Sequence, residues 1–453
     1  MKAMTTALLT DHYELTMVRA AMGSGTAFRR SVFELFPRRL PEGRRYGVVA
    51  GVGRMLEALE EFRFDEETVA WLLEKDVVNE ECAAWLRDYR FGGNMWGYPE
   101  GEIYFPGSPL LRVEGSFAEA CILETLLLSI YNHDSAIASA ASRMTAMAEG
   151  RPCIEMGSRR TQEQSAVAAA RAAYIAGFAS SSNLEAGKRW GVPTGGTAAH
   201  SFTLLHDSEE EAFAAQLKAQ GEGTTLLVDT YDIENAVRTG IKLTEGPLGA
   251  IRLDSGDLAI QAREVRDLLD GLGAEKTKII VTSDLDEWQI AALRGAPVDG
   301  YGVGTSVVTG SGHPTCGFVY KLVARADSDD PQAELLPVAK KSTNKNTVGG
   351  RKFAMRRFDA KGRAEAEIVG IGTPPTGDAN DRQLMVPLVE NGTVVGREPI
   401  EKARERHEAS RKELPKAALR VSKGEPAIPT IILDHEGDET YNPYLHSAVP
   451  TNI

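Results

Sequence analysis

No Gly-x-x-x-x-Gly-Lys-Ser/Thr run occurs in this chain, so a bound nucleotide would need some cradle other than a phosphate loop of that kind. There is no His-Glu-x-x-His, and Gly302-x-Gly304 lacks the third glycine of a dinucleotide fingerprint. Cysteine is scarce. Cys82, Cys121, Cys153 and Cys316 stand far apart with no Cys-x-x-Cys pair, which indicates neither a zinc site nor a disulfide framework. A basic surplus is missing too. The net charge of −13 argues against a broad nucleic-acid or membrane surface, because phosphate backbones select basic faces. A local basic cluster for a small anion remains compatible with that balance. Apolar runs of membrane-spanning length are absent; Cys121 to Ile130 is too short and reads as buried helix. The first residues show no basic-then-apolar leader, and Asp11, His12 and Glu14 fall in the first helix-like stretch. Asn391-Gly392-Thr393 therefore reads as a hairpin turn rather than a glycan site, and the expected compartment is the cytoplasm.

What is present is an ordinary folded composition, 42% hydrophobic and 25% charged, over 453 residues, enough for two or three domains and a large core. No internal repeat or low-complexity tract interrupts it. Residues 1–140 mix helix and strand: Asp11 to Ala21 is helical in pattern and stops near Gly23, Ser31 to Phe36 alternates like a strand, and Phe117 to Tyr131 is a long apolar helix.

Residues 141–323 are the expected barrel domain; from Pro152 to about Val308 short apolar runs alternate with amphipathic helices, the pattern of βα units on a parallel sheet. Each run ends in polar or glycine residues. Cys153-Ile154-Glu155 leads to Gly157-Ser158-Arg159-Arg160, and Val192-Pro193 leads through Gly195-Gly196-Thr197 to His200. Leu226-Leu227-Val228 leads to Asp229, Ala250-Ile251 to Arg252 and Asp254, Ile279-Ile280-Val281 to Ser283-Asp284, and Tyr301-Gly302-Val303 to Gly304-Thr305. Six such units favour an irregular (β/α) barrel with its site where the strands end. A doubly wound sheet would gather such residues at one switch point and is the second choice. Residues 324–453 hold strand-like segments (Arg351 to Phe358, Glu365 to Ile371, Leu384 to Val389) and a charged helix, Ile400 to Leu414. They are expected to complete the N-terminal α/β domain.

Several strand ends carry chemistry, and each has an ordinary reading beside it. Arg159-Arg160 is either a surface pair or a planar clamp for an anion. In Arg252-Leu253-Asp254-Ser255-Gly256-Asp257 an acid or serine is often only a helix N-cap, yet Ser255-Gly256 at a helix start is also a seat for phosphate or ribose hydroxyls. Gly302-Val303-Gly304-Thr305-Ser306 has the same two readings. Two such loops in neighbouring units point to a phosphorylated sugar. His200, among small residues, is structural or serves as acid, base or phosphate acceptor. Lys340-Lys341-Ser342-Thr343-Asn344-Lys345 with Arg351-Lys352 is the main basic cluster, a solvated loop or a pyrophosphate holder.

Together these stretches resemble the nicotinate phosphoribosyltransferase family. The resemblance rests on Asp11-His12-Tyr13-Glu14-Leu15-Thr16-Met17, Glu155-Met156-Gly157-Ser158-Arg159-Arg160, Ser181-Ser182-Asn183 and Gly196-Thr197-Ala198-Ala199-His200-Ser201-Phe202. It continues through Arg252 to Asp257, Gly302 to Ser306 and Val319-Tyr320-Lys321-Leu322-Val323, in the family's order and spacing. It implies the barrel of the type II phosphoribosyltransferases plus an N-terminal α/β domain, and a homodimer with shared sites. It implies transfer of phosphoribosyl from phosphoribosyl pyrophosphate to nicotinate, with Mg²⁺ and with ATP hydrolysed through a phosphohistidine, for which His200 is the matching residue. Tyr13 matches the aromatic that covers the pyridine ring from the partner chain. Arg159 and Arg252 match groups at the base and its carboxylate, and Asp229 and Asp254 match carboxylates at ribose and metal. Gly304 and Thr305 match the 5′-phosphate loop, and Ser255, Gly256 and Ser283 count as further substrate-binding candidates. Arg38, Lys341 and Lys345 fall where the family holds pyrophosphate, though Gly349-Gly350 stands where its pattern has a proline near the glycine.

Nicotinamide phosphoribosyltransferase, the nearest alternative, has an aspartate at the position of Asn183, so Asn183 favours nicotinate. Quinolinate phosphoribosyltransferases are shorter and lack the histidine motif. A non-catalytic nucleotide sensor on the same barrel would be expected to have lost His200, Arg252 or Asp254. An aldolase barrel would need a strand-end lysine, and none precedes Lys321 as a candidate.

Overall fold

Residues 5–244, 247–330, 332–340, 347–440 and 442–444 are described by the structure, a computed structural model. The chain divides into two compact units, 1–136 with 315–453, and 137–314. Among the described residues no helix is long and apolar enough to cross a membrane.

In the unit 137–314 the short apolar segments form a six-stranded parallel sheet. Its spatial order is Ser180–Ser181, Cys153–Glu155, Gly300–Val303, Lys278–Val281, Ala250–Leu253, Thr225–Leu227. The first of these strands in sequence therefore lies beside the last, Tyr301 facing Cys153 and Val303 facing Glu155. The rest follow chain order, which gives the cyclic sequence of a (β/α) barrel and not the reversal of a doubly wound sheet. The ring is a curled half-barrel. Thr194 bridges to Ser181, and no ladder among the described residues joins that edge to Thr225–Leu227. Helices follow the strands, and several are started by a side-chain cap. Asp257, for example, accepts from the N–H groups of Ala259 and Ile260 at the start of Leu258–Gly271. The alanines from Ala166 to Ala173 are buried on Glu163–Ile175, where short side chains let that helix pack closely.

One expected strand is corrected. Val192-Pro193 does not form one; Pro193 has no N–H to donate, and pairing here stops at the single bridge of Thr194 to Ser181, made by Ser181 N to Pro193 O (2.9 Å) and Gly195 N to Ser181 O (3.1 Å). The strand in that place is Ser180–Ser181, too short and too polar to be seen as an apolar run.

The other unit is built on a seven-stranded antiparallel sheet in the order Leu336–Pro337, Phe318–Arg325, Arg30–Pro37, Leu111–Ser116, Asn94–Gly97, Val386–Glu390, Thr393–Val394. Phe318 to Val323, assigned above to the barrel, thus pairs with Arg30–Pro37 in this sheet. A five-stranded sheet centred on Lys352–Phe358 and Ala364–Ile371 comes from the C-terminal segments. Lys352 reaches back to Glu34, both side chains buried, with Nζ 2.9 Å from Oε2, and accounts for a buried charge that would otherwise be costly. Asn391 (φ +45°) and Gly392 (φ +76°) make the expected two-residue hairpin turn between Val386–Glu390 and Thr393–Val394. The single apolar helix expected from Phe117 is instead two, Phe117–Cys121 and Glu124–Met147. Glu14 supplies the reason, since its buried carboxylate accepts from Thr125 N (3.0 Å) and starts the second helix anew.

Candidate active site

A cavity of about 970 Å³ opens at the strand ends of the barrel unit and is lined by Arg159, His200, Arg252, Asp254, Ser283, Gly304 and Thr305, among others. Its size is at the upper end for a small-molecule site. Backbone needs explain much of its wall. A Cβ on Gly302 would come within 2.4 Å of Thr282 Cγ2 and 2.8 Å of Met156 Sδ, so glycine is what lets these strand ends close up. Ser283, at φ +127°, sits in a conformation that side chains rarely adopt, just where its strand gives way to the cavity.

The acidic pair is held by one oxygen each. Asp229 Oδ2 accepts from Asp254 N (3.0 Å) and Ser255 Oγ (2.6 Å), and Asp254 Oδ1 accepts from Thr282 Oγ1. Asp229 Oδ1 is buried with no hydrogen-bond partner. It and Asp254 Oδ2 each lie 3.9 Å from Nε2 of His200, too long for a hydrogen bond. The other ring nitrogen, Nδ1, is 3.0 Å from Thr230 Oγ1. If Nδ1 carries the proton and donates to Thr230, Nε2 is left with a lone pair facing the cavity between two carboxylates.

The cations stand near the acids. Arg252 donates through Nη2 to Ala198 O (3.0 Å), while its Nε is buried without a partner. Burial is the main influence lowering its pKa; Asp254 and Asp229 act against it, and the nearby Arg159 adds to it. Under the Gly157–Arg160 turn lies Glu155, which accepts from Gly157 N and Ser181 Oγ. Burial raises its pKa, and those two hydrogen bonds oppose the rise.

The structure brings His200, Arg252, Asp254, Arg159, Ser283, Gly304 and Thr305 to the cavity wall, with Asp229 and Ser255 hydrogen-bonded behind Asp254. Gly256 (φ +80°) packs on Gln261 and does not line it. Neither does Asn183, whose Oδ1 caps Leu184–Trp190 through Ala186 N (2.9 Å) and whose Nδ2 donates to Ser158 Oγ (3.0 Å). Tyr13 and Arg38 belong to the other unit. Burial, then Glu124, pushes the Tyr13 phenol up, and Glu124 in turn lies 3.7 Å from Lys321 Nζ; Arg38 has a buried Nε without a partner. Lys341 and Lys345 lie outside the described residues. Arg160, the second arginine of the expected anion clamp, also lines the cavity, as do Thr197, Ser180, Ser182 and Thr282, which were not singled out as site residues. Thr282 directly follows the apolar run Ile279 to Val281, which was the available signal.

Among the described residues no three His, Cys, Asp or Glu side chains are grouped to hold a metal. The two unengaged carboxylate oxygens fit an ion of another kind, one that takes one or two carboxylates and completes its shell with water and substrate phosphate, as Mg²⁺ does.

A family model described as the nicotinate phosphoribosyltransferase N-terminal domain matches residues 8–132. Nicotinate phosphoribosyltransferase pncB1 of Mycobacterium tuberculosis is 54% identical over 432 residues, 93% of this chain and 94% of the relative. Nicotinate phosphoribosyltransferase of Bacillus subtilis is 33% identical, over 84% of this chain and 79% of its own. The crystal structure of human nicotinic acid phosphoribosyltransferase superposes with a TM-score of 0.80 at 24% identity, covering 94% of this chain and 98% of that one; at that identity it speaks for the fold.

Proposed function

The chain belongs to the nicotinate phosphoribosyltransferase family, and we propose that its strand-end cavity joins nicotinate to phosphoribosyl pyrophosphate, giving nicotinate mononucleotide and pyrophosphate with coupled ATP hydrolysis. The observation that carries this reading is the convergence on one cavity of two arginines, a carboxylate and an imidazole, each with unengaged polar atoms. The reaction needs no protein nucleophile at the sugar. The pyridine nitrogen attacks the anomeric carbon while the bond to pyrophosphate breaks, and the protein's task is to orient the two reactants and stabilise the charge that develops.

In this reading Arg159 and Arg252 receive the nicotinate carboxylate, and Gly304 and Thr305 the 5′-phosphate. Asp254 and Ser283 face the ribose, with Asp229 and Ser255 bracing Asp254 from behind; Gly256, set against Gln261, shapes the turn and makes no contact with the sugar. The same two aspartates would hold Mg²⁺, which when bound offsets the charge on the departing pyrophosphate. Arg38, Lys341 and Lys345 contribute to pyrophosphate binding. His200 Nε2 accepts the γ-phosphoryl group of ATP, forming an N–P bond as the bond to ADP breaks. The working form is a homodimer in which Tyr13 of the partner subunit covers the pyridine ring, acting in the cytoplasm.

The direct test is a product assay offering nicotinate, nicotinamide and quinolinate separately with phosphoribosyl pyrophosphate, each with and without ATP. Nicotinate mononucleotide should form and its rate should rise with ATP. A higher kcat/KM for either other base would overturn the assignment.

Asn183 is proposed to bias the choice of base from just behind the wall. Asn183→Asp keeps an N-cap acceptor but replaces the donor to Ser158 with an anion, which in the proposed complex adds a second negative charge near nicotinate's carboxylate. Two like charges about 4 Å apart at an effective dielectric near 20 repel by roughly 4 kcal/mol before solvent screening. Because Asn183 does not line the cavity, nicotinate kcat/KM is expected to fall about tenfold, equivalent to about 1.4 kcal/mol, with nicotinamide affected less. Equal losses for both bases would reduce Asn183 to a helix cap.

A further inference from the structure

The unit comprising 1–136 and 315–453 holds a second cavity, of about 390 Å³, that the proposed reaction does not use. We propose that it binds a small organic anion, a carboxylate or phosphate carried on a compact apolar body. Its apolar side is one face of the helix His12–Gly23, where Met17, Ala20 and Ala21 follow each other at helical spacing, opposed by Phe117 and Leu322. The two alanines are what leave the space open. Its polar side is formed by Arg29 and Arg325 with Thr26 and Ser31.

The arginines are placed by the sheet. Ser31 and Arg325 are direct partners across the antiparallel pair Arg30–Pro37 and Phe318–Arg325, so their side chains share one face. Arg29 immediately precedes the first of these strands. Its backbone is pinned on both sides, with N donating to Thr26 O (3.3 Å) and O accepting from Phe117 N (3.0 Å) and Ser31 Oγ (3.1 Å).

Neither guanidinium has a counter-ion among the described residues. Arg29 Nε is buried with no hydrogen-bond partner, and Arg325 is engaged only through Nη1 to the carbonyl of Ala326 (3.1 Å). In a chain with 64 acidic against 51 basic side chains, carboxylates are not in short supply, yet none of the described ones pairs with these arginines. Two planar forks beside an apolar pocket recognise an anion with at least two oxygens and a ring or short chain behind it. The volume falls at the low end of small-molecule sites.

Phenyl phosphate, benzoate and inorganic phosphate distinguish the possibilities when titrated calorimetrically into the full-length protein. An Arg252→Ala background removes a guanidinium from the strand-end cavity and should leave this site's binding intact. Phenyl phosphate or benzoate should bind, the stronger of the two identifying the headgroup, and inorganic phosphate should bind at least about tenfold more weakly for want of the apolar body. Arg29→Gln and Arg325→Gln should each weaken the organic probe about tenfold or more. Ala20→Leu, which puts a larger side chain into the cavity's helical wall and alters neither arginine, should abolish binding and guards against a fold defect in the arginine variants. The proposal fails if neither organic probe binds, if the Arg29→Gln/Arg325→Gln double variant binds as the parent does, or if Ala20→Leu leaves the affinity unchanged. It fails equally if the double variant's sole effect is weaker self-association, which would make the arginines part of a contact between copies.

Discussion

Asp254→Asn is expected to lower kcat for nicotinate by about a hundredfold or more while leaving the thermal midpoint within a few degrees of the parent. The side chain has two separate jobs, and the substitution takes away one. Asp254 Oδ1 accepts from Thr282 Oγ1, and an asparagine oxygen can keep that contact. The backbone N–H of Asp254 still fixes Asp229 Oδ2, so the acidic pair keeps its geometry. What disappears is the negative charge at Oδ2, the atom facing the cavity and His200 Nε2. If that charge serves ribose and Mg²⁺, its loss acts on the transfer step itself, with and without ATP, and excess Mg²⁺ should restore only part of the rate. Steady-state kinetics across a Mg²⁺ series, with Asp254→Asn and the companion Thr282→Ala, measure this. Thr282→Ala frees the carboxylate without neutralising it and should cost less, about tenfold. A parental rate in Asp254→Asn at saturating Mg²⁺ would remove Asp254 from the chemistry.

Much of this site was legible because a parallel strand ends where its apolar run ends. Cys153 to Glu155, Ala250 to Leu253, Ile279 to Val281 and Tyr301 to Val303 all announce themselves in hydrophobicity, and the polar residues that follow them line the cavity. The reading failed where that signal was absent. Ser180–Ser181 pairs in the sheet with two serines and no apolar character, while Val192-Pro193 had the character of a strand but lacked a proline N–H to pair with. The helix break after Cys121 depends on Glu14, more than a hundred residues earlier, and no local pattern could reveal it. Asn183 shows the opposite limit. Its motif marked it as a site residue, but the geometry spends both ends of its amide on Ala186 and Ser158. Sequence can say that a residue type belongs near a site; which atoms remain unengaged is a property of the folded contacts. The Arg29 and Arg325 cavity makes the same point, since their approach comes from a strand pairing almost three hundred residues long in sequence terms, Ser31 to Arg325.

His200→Ala should abolish the stimulation by ATP and leave a slow transfer that runs without it. The expectation follows from where the imidazole sits. Nδ1 is hydrogen-bonded to Thr230, so the ring is oriented, and Nε2 points into the space beside Asp229 Oδ1 and Asp254 Oδ2 without bonding to either. A histidine meant only to stabilise its helix would have no need of that free nitrogen at the cavity wall. As a phosphoryl acceptor it needs it, and the neighbouring carboxylates would repel the phosphoryl group they face. That repulsion, relieved by a divalent cation while ATP is bound, would make the N–P bond labile afterwards and return its energy to product formation or release. In the proposed reading the attack of nicotinate on the anomeric carbon would use other groups, chiefly Arg159, Arg252 and Asp254, so it should survive the loss of the ring. Two measurements separate this from simple damage to the site. Incubation with γ-³²P-labelled ATP should label the parent in an acid-labile, base-stable form and leave His200→Ala unlabelled. His200→Asn, which keeps a polar group near Thr230, should behave like alanine for ATP stimulation, because an amide cannot accept the phosphoryl group. Full ATP-stimulated turnover in either variant, or undiminished labelling of His200→Ala, would transfer the role to another residue. Equal loss of the ATP-dependent and ATP-independent rates would place His200 in the transfer step instead of in energy coupling.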